Sequence, residues 1–453
     1  MSIKSDAPGM DELSPVFIRI LLPKLLPIIT YIFNNILTKS SFPSSWKRAK
    51  IKPIPKPSGD LRPISILSYL SKAFERIMYK QIMKFIDDNS LLTDCQSGFR
   101  VQHSTITTLI DVSEELRQSL DARKISFLTL LDHSQAFQKV DPHIMRAKLI
   151  SNFLFSFSAS ELVYSYMSNR FQTVFLNETT SSPLAVNQGV PQGSVLGPLL
   201  FNLYINDLPL VVQYCKVRMY ADDVQLTIDC HENNIASCIN HLNCDLKNIS
   251  DWANSNNLSL NPAKSQCLLV SKTSIDTSNL PPVKINDQHI SYVSEAKNLG
   301  VVFTSKLSWN THILRSIGKV YGMLRSIWSQ KHCTPFRTRL LLCKTYLMPT
   351  ILYGCELYAN CDSIHERKLN ILFNNVARYV FNRRRFDHIS DASIRLYGLK
   401  FNDIIKTRSL IQLHKIIYTQ RPSYLFHRLV FARTNRGLKL IPFTRNLLLS
   451  NRQ

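Results

Sequence analysis

The sequence predicts an α+β protein with more than one hydrophobic core. Its 453 residues exceed what one core usually serves, so about two to four subdomains are expected. Short apolar segments of strand length lie between residues 125 and 303, whereas the pattern from Trp309 onward is almost entirely helical. Apolar residues make up 45% of the chain, which is enough to build these cores.

The first 120 residues are expected to form helices, with proline-broken extended chain from Pro43 to Pro63 between the first two. Helices are predicted at residues 11–40, 68–89 and 104–120. Residues 17–37 are strongly apolar, but they include Arg19 and Lys24 as well as Pro23 and Pro27. Because each charge near the centre of a bilayer helix costs about 2.5–3.5 kcal/mol, we predict an amphipathic helix of a soluble protein and no membrane partner.

The middle of the chain combines a buried strand with further helices and strands. Residues 125–131 are nearly all apolar and long enough for a buried strand, which ends at Asp132. Later segments are predicted as helix at 142–168, 194–207 and 235–256, and as strand at 171–176, 258–272 and 299–303.

Two adjacent aspartates, Asp222 and Asp223, occupy the predicted bend of a β-hairpin. Residues 216–220 and 224–228 on either side carry β-branched and apolar side chains at a period typical of strands. Adjacent carboxylates repel each other unless cations neutralise them. If the strand before Asp132 lies beside this hairpin, the three carboxylates converge and form a candidate site for divalent metal ions.

Two interpretations of these carboxylates remain open on the residues alone. Two metal ions about 3.5–4 Å apart, clamped by such carboxylates, would stabilise the attacking and leaving oxygens of a phosphoryl transfer. Alternatively, Asp132 caps the next helix, and the Asp222–Asp223 pair serves ordinary turn chemistry.

The chain is strongly basic, with 55 Lys and Arg against 32 Asp and Glu and a net charge of +23. Residues 367–453 contribute 18 basic and 3 acidic residues, and most of the basic ones are arginines. Because the Arg guanidinium suits phosphate binding and base stacking, this bias favours nucleic acid as the partner. Solvated surface charge is the alternative.

The ten cysteines follow no disulfide framework and no secretory signal is recognisable, which indicates reduced thiols in an intracellular compartment. Cys230, Cys238, His241 and Cys244 lack the paired spacing of zinc knuckles. No zinc site is therefore predicted.

The order of short motifs along the chain resembles one known family. The motifs lie at Ala7–Asp11, Trp46–Lys56, Leu61–Ser65, Gln96–Thr105, Leu131–Phe137, Asn187–Pro198, Tyr220–Asp223, Leu260–Ser265 and Asn298–Trp309. Each motif alone is weak, but the complete series is specific. Over residues 7–312 it resembles the reverse transcriptase of LINE-type (non-LTR) retrotransposons, most closely the jockey-like group.

This resemblance implies an α+β right-hand polymerase with fingers, an antiparallel palm sheet and a helical thumb. The domains expected from it are an N-terminal extension and fingers at 1–120, a palm at 121–306 with a fingers insertion at about 150–185, a thumb at 307–380 and a basic helical region at 381–453.

The resemblance further implies an RNA-directed DNA polymerase that acts in the nucleus. Such an enzyme transfers nucleotides from dNTP to the 3′-hydroxyl of a DNA primer at a target site, on an RNA template. Two Mg²⁺ ions, or Mn²⁺ in their place, would be held by Asp132, Asp222 and Asp223.

Other site residues follow from matching the motifs residue by residue. Phe137 corresponds to the aromatic side chain that excludes a 2′-hydroxyl, and Gln192 and Gly193 to a loop against the incoming nucleotide. Further matched residues are the triphosphate-binding pair Lys56 and Arg62, the general acid Lys264, and the primer-gripping Leu299 and Gly300.

The chain departs from the family pattern at three positions. Gln138 replaces an aspartate after the aromatic gate, Gln135 replaces a lysine, and Thr304 stands where the family has an aspartate. These changes leave an alternative open, in which a decayed retroelement relic only binds RNA or RNA–DNA hybrid through its basic C-terminal region.

Two other polymerase classes are disfavoured. Phe137 argues against an RNA-directed RNA polymerase, which needs room for the 2′-hydroxyl, and the motif series is unlike that of an intron maturase. The chain starts at the family's proline-glycine motif without a recognisable nuclease before it, so alone it is not expected to nick target DNA.

Overall fold

The computed structural model describes residues 8–55, 59, 61–176, 179–359, 361–434 and 437–441, with side chains as far as residue 430. The helices are α1 (Pro15–Lys39), α2 (Tyr69–Asp88), α3 (Thr105–Asp121), α4 (Pro142–Ser151), α5 (Phe157–Met167), α6 (Gly197–Tyr204), α7 (Ile235–Ser255), α8 (Asn310–Trp328), α9 (Phe336–Leu342), α10 (Met348–Leu352), α11 (Ser363–Val380), α12 (Ser390–Tyr397), α13 (Phe401–Thr419) and α14 (Ser423–Phe426).

The strands occur in four sheets. They are β1 (Arg48–Pro55), β2 (Leu61–Ile66), β3 (Ile125–Leu131), β4 (Arg170–Leu176), β5 (Thr179–Thr180), β6 (Leu184–Val186), β7 (Lys216–Tyr220), β8 (Asp223–Cys230), β9 (Gln266–Val270), β10 (Val283–Ile285), β11 (Gln288–Val293), β12 (Glu295–Asn298), β13 (Val301–Thr304), β14 (Val430–Thr434) and β15 (Gly437–Ile441). The predicted α+β class is confirmed.

The largest sheet has six strands in the order β10-β11-β9-β3-β8-β7. Its neighbouring strands are antiparallel, except for the pair β9 and β11. The predicted antiparallel palm sheet is therefore correct apart from that pair, which is parallel because the chain passes through β10 before it returns along β9. All residues of β3 except Leu130 are buried, as its apolar sequence predicts for a central strand.

A second sheet contains β1 between two other strands. This strand pairs with β2 in antiparallel and with β4 in parallel orientation. Residues 48–55 and 61–66, which include several prolines and lysines, thus form two paired strands. The strand β6 joins this sheet through β4, so residues 170–176 and 184–186 pack beside the N-terminal region of the chain.

Helix α1 buries only one of its faces. Ile18, Ile29 and Phe33 pack into the main core, whereas Ile20 and Tyr31 are each 71% exposed. The exposed side of α1 thus carries large apolar side chains, which differs from the polar face expected of an amphipathic helix. By length and composition alone α1 could also cross a membrane. Core helices of soluble proteins and signal sequences meet the same criterion.

The C-terminal helices pack around a core of their own. Its fully buried members include Ile313, Val320, Leu347, Leu372 and Val376. A third cluster, including Leu109, Leu128, Leu268 and Phe303, joins α3 to the palm sheet and to the β12–β13 hairpin. The prediction of helix beyond Trp309 is wrong for β14 and β15, which pair as an antiparallel hairpin.

Four predicted boundaries need correction. The strand expected at 258–272 covers only Gln266–Val270. The helix expected at 142–168 is interrupted, because the Ser156 side chain accepts a hydrogen bond from the Ala159 amide and starts a new helix. The helix expected at 194–207 covers only Gly197–Tyr204. Leu299 and Gly300 form the turn between β12 and β13 rather than part of a strand, since both have positive φ.

A buried ionic network joins α3 to the last two strands of the palm sheet. The Arg218 guanidinium donates to the carboxylates of Asp111 and Glu115, and Thr227 Oγ1 donates to Glu115 at 2.8 Å. Arg428 Nε also donates to Asp111, at 2.7 Å. The carboxylates of Asp111 and Glu115 are thus paired although they are removed from water.

Candidate active site

The register of the palm sheet brings the three predicted metal-binding carboxylates together. Leu131, the last residue of β3, pairs with Val224 at the start of β8. Tyr220 pairs with Asp223, so Ala221 and Asp222 form the tight turn of the β7–β8 hairpin. The residue after Leu131 is Asp132, which therefore lies beside this turn at one edge of the sheet.

The three carboxylates line one cleft of about 1010 Å³. The same cleft is lined by five other residues singled out from the sequence, namely Arg62, Phe137, Gln192, Gly193 and Lys264. These eight residues are spread over 203 positions of the chain, from 62 to 264, so only folding assembles them.

The pKa of the Asp223 carboxyl group reflects its position in the cleft. Burial and then the negative charges of Asp222 and Asp132 raise the pKa of Asp223 to about 6. A carboxyl group with these neighbours gains from a cation, because a nearby positive charge favours its ionised form.

The loop after α7 fixes the backbone of Asp132. The Asn261 amide donates to the Asp132 carbonyl at 2.8 Å, and the Asp132 amide donates to Ser265 Oγ at 3.3 Å. Lys264 lies between these two contacts and is exposed at the edge of the cleft. Its ammonium group can therefore move toward a bound phosphate.

The loop before α6 lies against β2. The Ser65 amide donates to the Gln192 carbonyl at 2.7 Å. Gly193 has a φ of +107°, and a Cβ atom at this position would lie 2.9 Å from the Ser65 carbonyl oxygen. Only glycine satisfies both conditions, which explains this residue type beside the cleft.

A buried glutamate that the sequence analysis did not single out holds the same loop. Glu75 on α2 is fully buried and accepts hydrogen bonds from the Val195 and Leu196 amides at 2.8 and 3.2 Å. Burial raises the pKa of its carboxyl group, against the effect of these amides. The signal in the sequence is an acidic residue on the apolar face of a helix, between Phe74 and Met78.

The ring of Phe137 is held on two sides. It stacks on Phe201 with ring centroids 4.3 Å apart and an interplanar angle of 17°, and it meets Phe99 edge-on at 6.3 Å. The ring is half-buried and faces the cleft. Its position is therefore set by packing rather than by a substrate.

Two predicted residues are not part of this arrangement, and a third falls in a segment that the structure does not describe. Lys56 lies outside the described residues, so its predicted role is not tested. Leu299 and Gly300 do not line the cleft. Gly300 instead lines a separate basic cavity of about 490 Å³ with Lys297 of β12 and several residues of α8. The Leu299 carbonyl accepts a hydrogen bond from Tyr353.

The donor set of the cleft fits hard divalent cations. Mg²⁺ prefers oxygen ligands and is usually held by one or two carboxylates together with substrate phosphates. Within the described residues, no group of three His, Cys, Asp or Glu side chains is close enough to hold an ion alone. Asp132, Asp222 and Asp223 alone therefore do not make a complete cation site, and further oxygen ligands would have to come from a substrate.

The fold is that of a right-hand nucleic-acid polymerase. Its acidic residues lie at the end of a central strand and at the turn of the adjacent hairpin, and separate sheet and helical subdomains surround them. Residues 54–303 match the family model described as reverse transcriptase (RNA-dependent DNA polymerase). This match covers more than half of the chain, and the chain belongs to that family.

Relatives among curated proteins agree with this assignment. The chain is 30% identical to the probable RNA-directed DNA polymerase from transposon X-element of Drosophila melanogaster, over 83% of this chain and 42% of the relative. It is 27% identical to that from transposon BS of the same organism, over 97% of this chain and 50% of the relative.

A third relative is the RNA-directed DNA polymerase from mobile element jockey of Drosophila melanogaster, at 28% identity over 81% of this chain and 41% of the relative. The chain thus spans at most half the length of these relatives. The family predicted from the motifs, a non-LTR retrotransposon reverse transcriptase of the jockey-like group, is confirmed.

Among solved structures, a telomerase from Candida albicans in complex with a fragment of telomeric RNA aligns with a TM-score of 0.39 and 13% identity. That alignment covers 87% of this chain and 67% of the telomerase chain.

Proposed function

We propose that this chain is an RNA-directed DNA polymerase that extends a DNA primer by dNTP addition on an RNA template. The observation that supports it most is the meeting of Asp132, Asp222 and Asp223 at one edge of the palm sheet, inside the cleft that Arg62 and Lys264 also line. Reverse transcriptases use divalent metal ions and act on an RNA template and a DNA primer.

In the proposed reaction, Asp132 and Asp222 are the principal ligands of two Mg²⁺ ions, and Asp223 is a weaker or indirect ligand. When bound, such ions lower the pKa of the primer 3′-hydroxyl and neutralise the triphosphate. Mn²⁺ offers the same chemistry. A polymerase that primes on chromosomal DNA would act in the nucleus, which we include in the proposal.

The remaining residues of the cleft bind and orient the substrate. Arg62 offers the paired N–H groups that phosphate oxygens accept. Lys264 supplies a proton to the leaving pyrophosphate. Gln192 hydrogen-bonds the sugar or the template, and Gly193 lets the backbone approach the nucleotide.

Extension of oligo(dT) on poly(rA) with dTTP and Mg²⁺ tests this function directly. We expect product that depends on the template, the metal and the carboxylate of Asp222. Absence of product, or equal product from the wild type and the Asp222→Asn variant, would contradict the proposal.

Replacing Phe137 with valine is expected to admit ribonucleotides. The smaller side chain leaves space for a 2′-hydroxyl, and we expect the ratio of rNTP to dNTP incorporation to rise about tenfold or more. The measurement is kcat/KM for UTP and dTTP on the same primer and template.

Leu61→Ala is the matched control for this substitution. It also removes an apolar side chain from the lining of the cleft, but it leaves Phe137 in contact with both Phe99 and Phe201. Sugar selectivity should stay unchanged in this variant. If both variants lose sugar selectivity equally, or if neither loses it, Phe137 is not the gate.

A second candidate function, binding of RNA–DNA hybrid without chemistry, is supported by the basic C-terminal region. Arg383, Arg384 and Arg385 are all exposed between α11 and α12. Changing all three to glutamine should reduce the magnitude of the slope of log K against log[salt] by about 2 to 3. Each lost phosphate contact lowers that magnitude by about 0.7–0.9.

The measurement is the affinity for a short RNA–DNA hybrid at several salt concentrations. A control variant changes the exposed Lys80, Lys247 and Lys284, which lie on α2, α7 and β10, to glutamine. It carries the same net charge as the arginine variant. If both sets change the slope equally, the arginines are not a specific binding surface.

A further inference from the structure

The backbone of the Ala221–Asp222 turn is held by a side chain from a distant loop. Gln96 is fully buried, and its Oε1 accepts hydrogen bonds from the Ala221 amide at 2.9 Å and the Gly98 amide at 2.7 Å. Its Nε2 donates to the Ala221 carbonyl at 3.4 Å. Both polar groups of Ala221 are therefore bound by one side chain, 125 positions away in sequence.

A second buried side chain holds the next residue of the turn. His133 follows Asp132 directly, is 7% exposed, and its Nδ1 lies 3.0 Å from the Asp222 carbonyl oxygen. Because a carbonyl oxygen only accepts, Nδ1 carries the hydrogen in this contact. His133 thus links the segment that bears Asp132 to the backbone of Asp222.

The turn has a conformation that needs such support. Ala221 has a φ of +55°, which is unfavourable for a residue with a Cβ atom. The loop that carries Gln96 is itself fixed to β7, since the Ser97 amide donates to Met219 and the Met219 amide donates to Cys95, both at 2.8 Å. The side chain of Gln96 therefore approaches the turn from a rigid support.

Close packing leaves little freedom in this arrangement. A Cβ atom on Gly98 would lie 2.3 Å from the Ala221 nitrogen, so the loop touches the turn backbone directly. The Gly98 carbonyl accepts a hydrogen bond from Asn202 of α6 at 2.7 Å. Movement of Asp222 relative to Asp132 would thus require breaking several buried hydrogen bonds.

We propose that Gln96 and His133 are positioning residues that set the distance between the carboxylates of Asp222 and Asp132 for divalent cation binding. This inference rests on the proposed function. Neither side chain needs to touch the substrate, because their hydrogen bonds go to backbone groups of the turn and of Gly98. A displacement of about 1 Å in such a site reduces turnover about 100-fold.

The first test replaces Gln96 with methionine, which has a similar shape but neither the acceptor nor the donor. We expect the Mg²⁺ concentration for half-maximal extension to rise about tenfold and kcat to fall about 10- to 100-fold. KM for dTTP, measured at saturating Mg²⁺, should change less than about twofold, because Arg62 and Phe137 stay in place.

Arg339→Met is the matched control for lost stability. Arg339 is 8% exposed and donates to the carbonyls of Val380, Lys331 and Thr334 within the C-terminal helices. In this control, a smaller fraction of folded protein should lower the amplitude of extension but leave the Mg²⁺ concentration for half-maximal extension unchanged. If that concentration is also unchanged in Gln96→Met, the proposal is overturned.

His133 is tested by removal and conservative rescue. His133→Val lacks a donor, whereas the side-chain amide of His133→Asn places an N–H at the same distance from the backbone as Nδ1. We expect the Mg²⁺ requirement to rise about tenfold in the valine variant and to recover largely in the asparagine variant. Equal values for both variants would contradict a positioning role.

Binding of Mn²⁺ to the full chain separates this inference from the proposed function. Electron paramagnetic resonance measures free Mn²⁺ without substrate or turnover. Weaker Mn²⁺ binding in Gln96→Met than in the wild type supports the inference even if neither protein extends a primer. Equal Mn²⁺ affinity in the two proteins overturns it even if the wild type is an active polymerase.

Discussion

Replacing Asp222 with asparagine is expected to reduce primer extension at least about 1,000-fold, equivalent to a loss of about 4 kcal/mol of transition-state stabilisation. The substitution keeps the size of the side chain and removes its negative charge at the site proposed for two metal ions. Gln96 and His133 bind the backbone of the turn, so the turn itself should persist. Single-turnover extension by the wild type and the variant measures the effect.

Two further measurements show whether such a loss is specific. Affinity for the RNA–DNA hybrid should remain within about twofold, because the proposed phosphate contacts lie elsewhere, on the basic C-terminal region. Asp223→Asn should have a smaller effect than Asp222→Asn, since Asp223 starts β8 and is proposed as the weaker ligand. An Asp222→Asn variant that keeps more than about a tenth of wild-type turnover would contradict the assigned role.

Replacing Arg218 with methionine is expected to lower the free energy of unfolding by about 3–5 kcal/mol, the usual effect of breaking a buried ion pair from one side. The substitution leaves the carboxylates of Asp111 and Glu115 buried, with Arg428 as the remaining close cation of Asp111. Urea unfolding followed by tryptophan fluorescence measures the change.

The pH dependence gives this prediction a second test. Burial raises the pKa of Glu115, but the charge and hydrogen bonds of Arg218 outweigh it, so its pKa lies below the ordinary value of 4.5. A carboxyl group with a lowered folded-state pKa stabilises the fold above its unfolded-state value, and this stability is lost as the pH falls through the folded-state pKa. The difference between wild type and Arg218→Met should therefore narrow below about pH 4.5.

Lys84→Met is the control, because Lys84 pairs with Asp88 on the exposed surface of α2. It should change the free energy of unfolding by less than about 0.5 kcal/mol. A loss of similar size in both variants would show that charge alone, rather than burial of the ionic network, explains the Arg218 result.

The sequence was most informative where a pattern and a motif coincide. The apolar run at 125–131 predicted β3 to the residue, and the strand-like flanks predicted the β7–β8 hairpin. The motif Tyr220–Asp223 then identified the edge of the sheet at which the candidate active site lies. These features are local, so they can be read from neighbouring residues.

What the sequence did not reveal depends on partners far away in the chain. Glu75, Gln96 and His133 each act through backbone groups of loops that only folding brings near them. Leu299 and Gly300 were expected in a strand, but positive φ at both residues makes them a two-residue turn. The hairpin of β14 and β15 interrupts a region whose composition suggested helix alone.

The contacts of Tyr424 and Arg428 have a consequence for how the molecule gains its shape. Tyr424 hydrogen-bonds Ser97 and Thr107, and Arg428 pairs with Asp111, so residues more than 300 positions apart stabilise one another. Loops of this length are slow to close during folding. The surroundings of the Asp222 turn are therefore completed only after residue 428 has been synthesised, and until then Asp111 lacks its contact with Arg428.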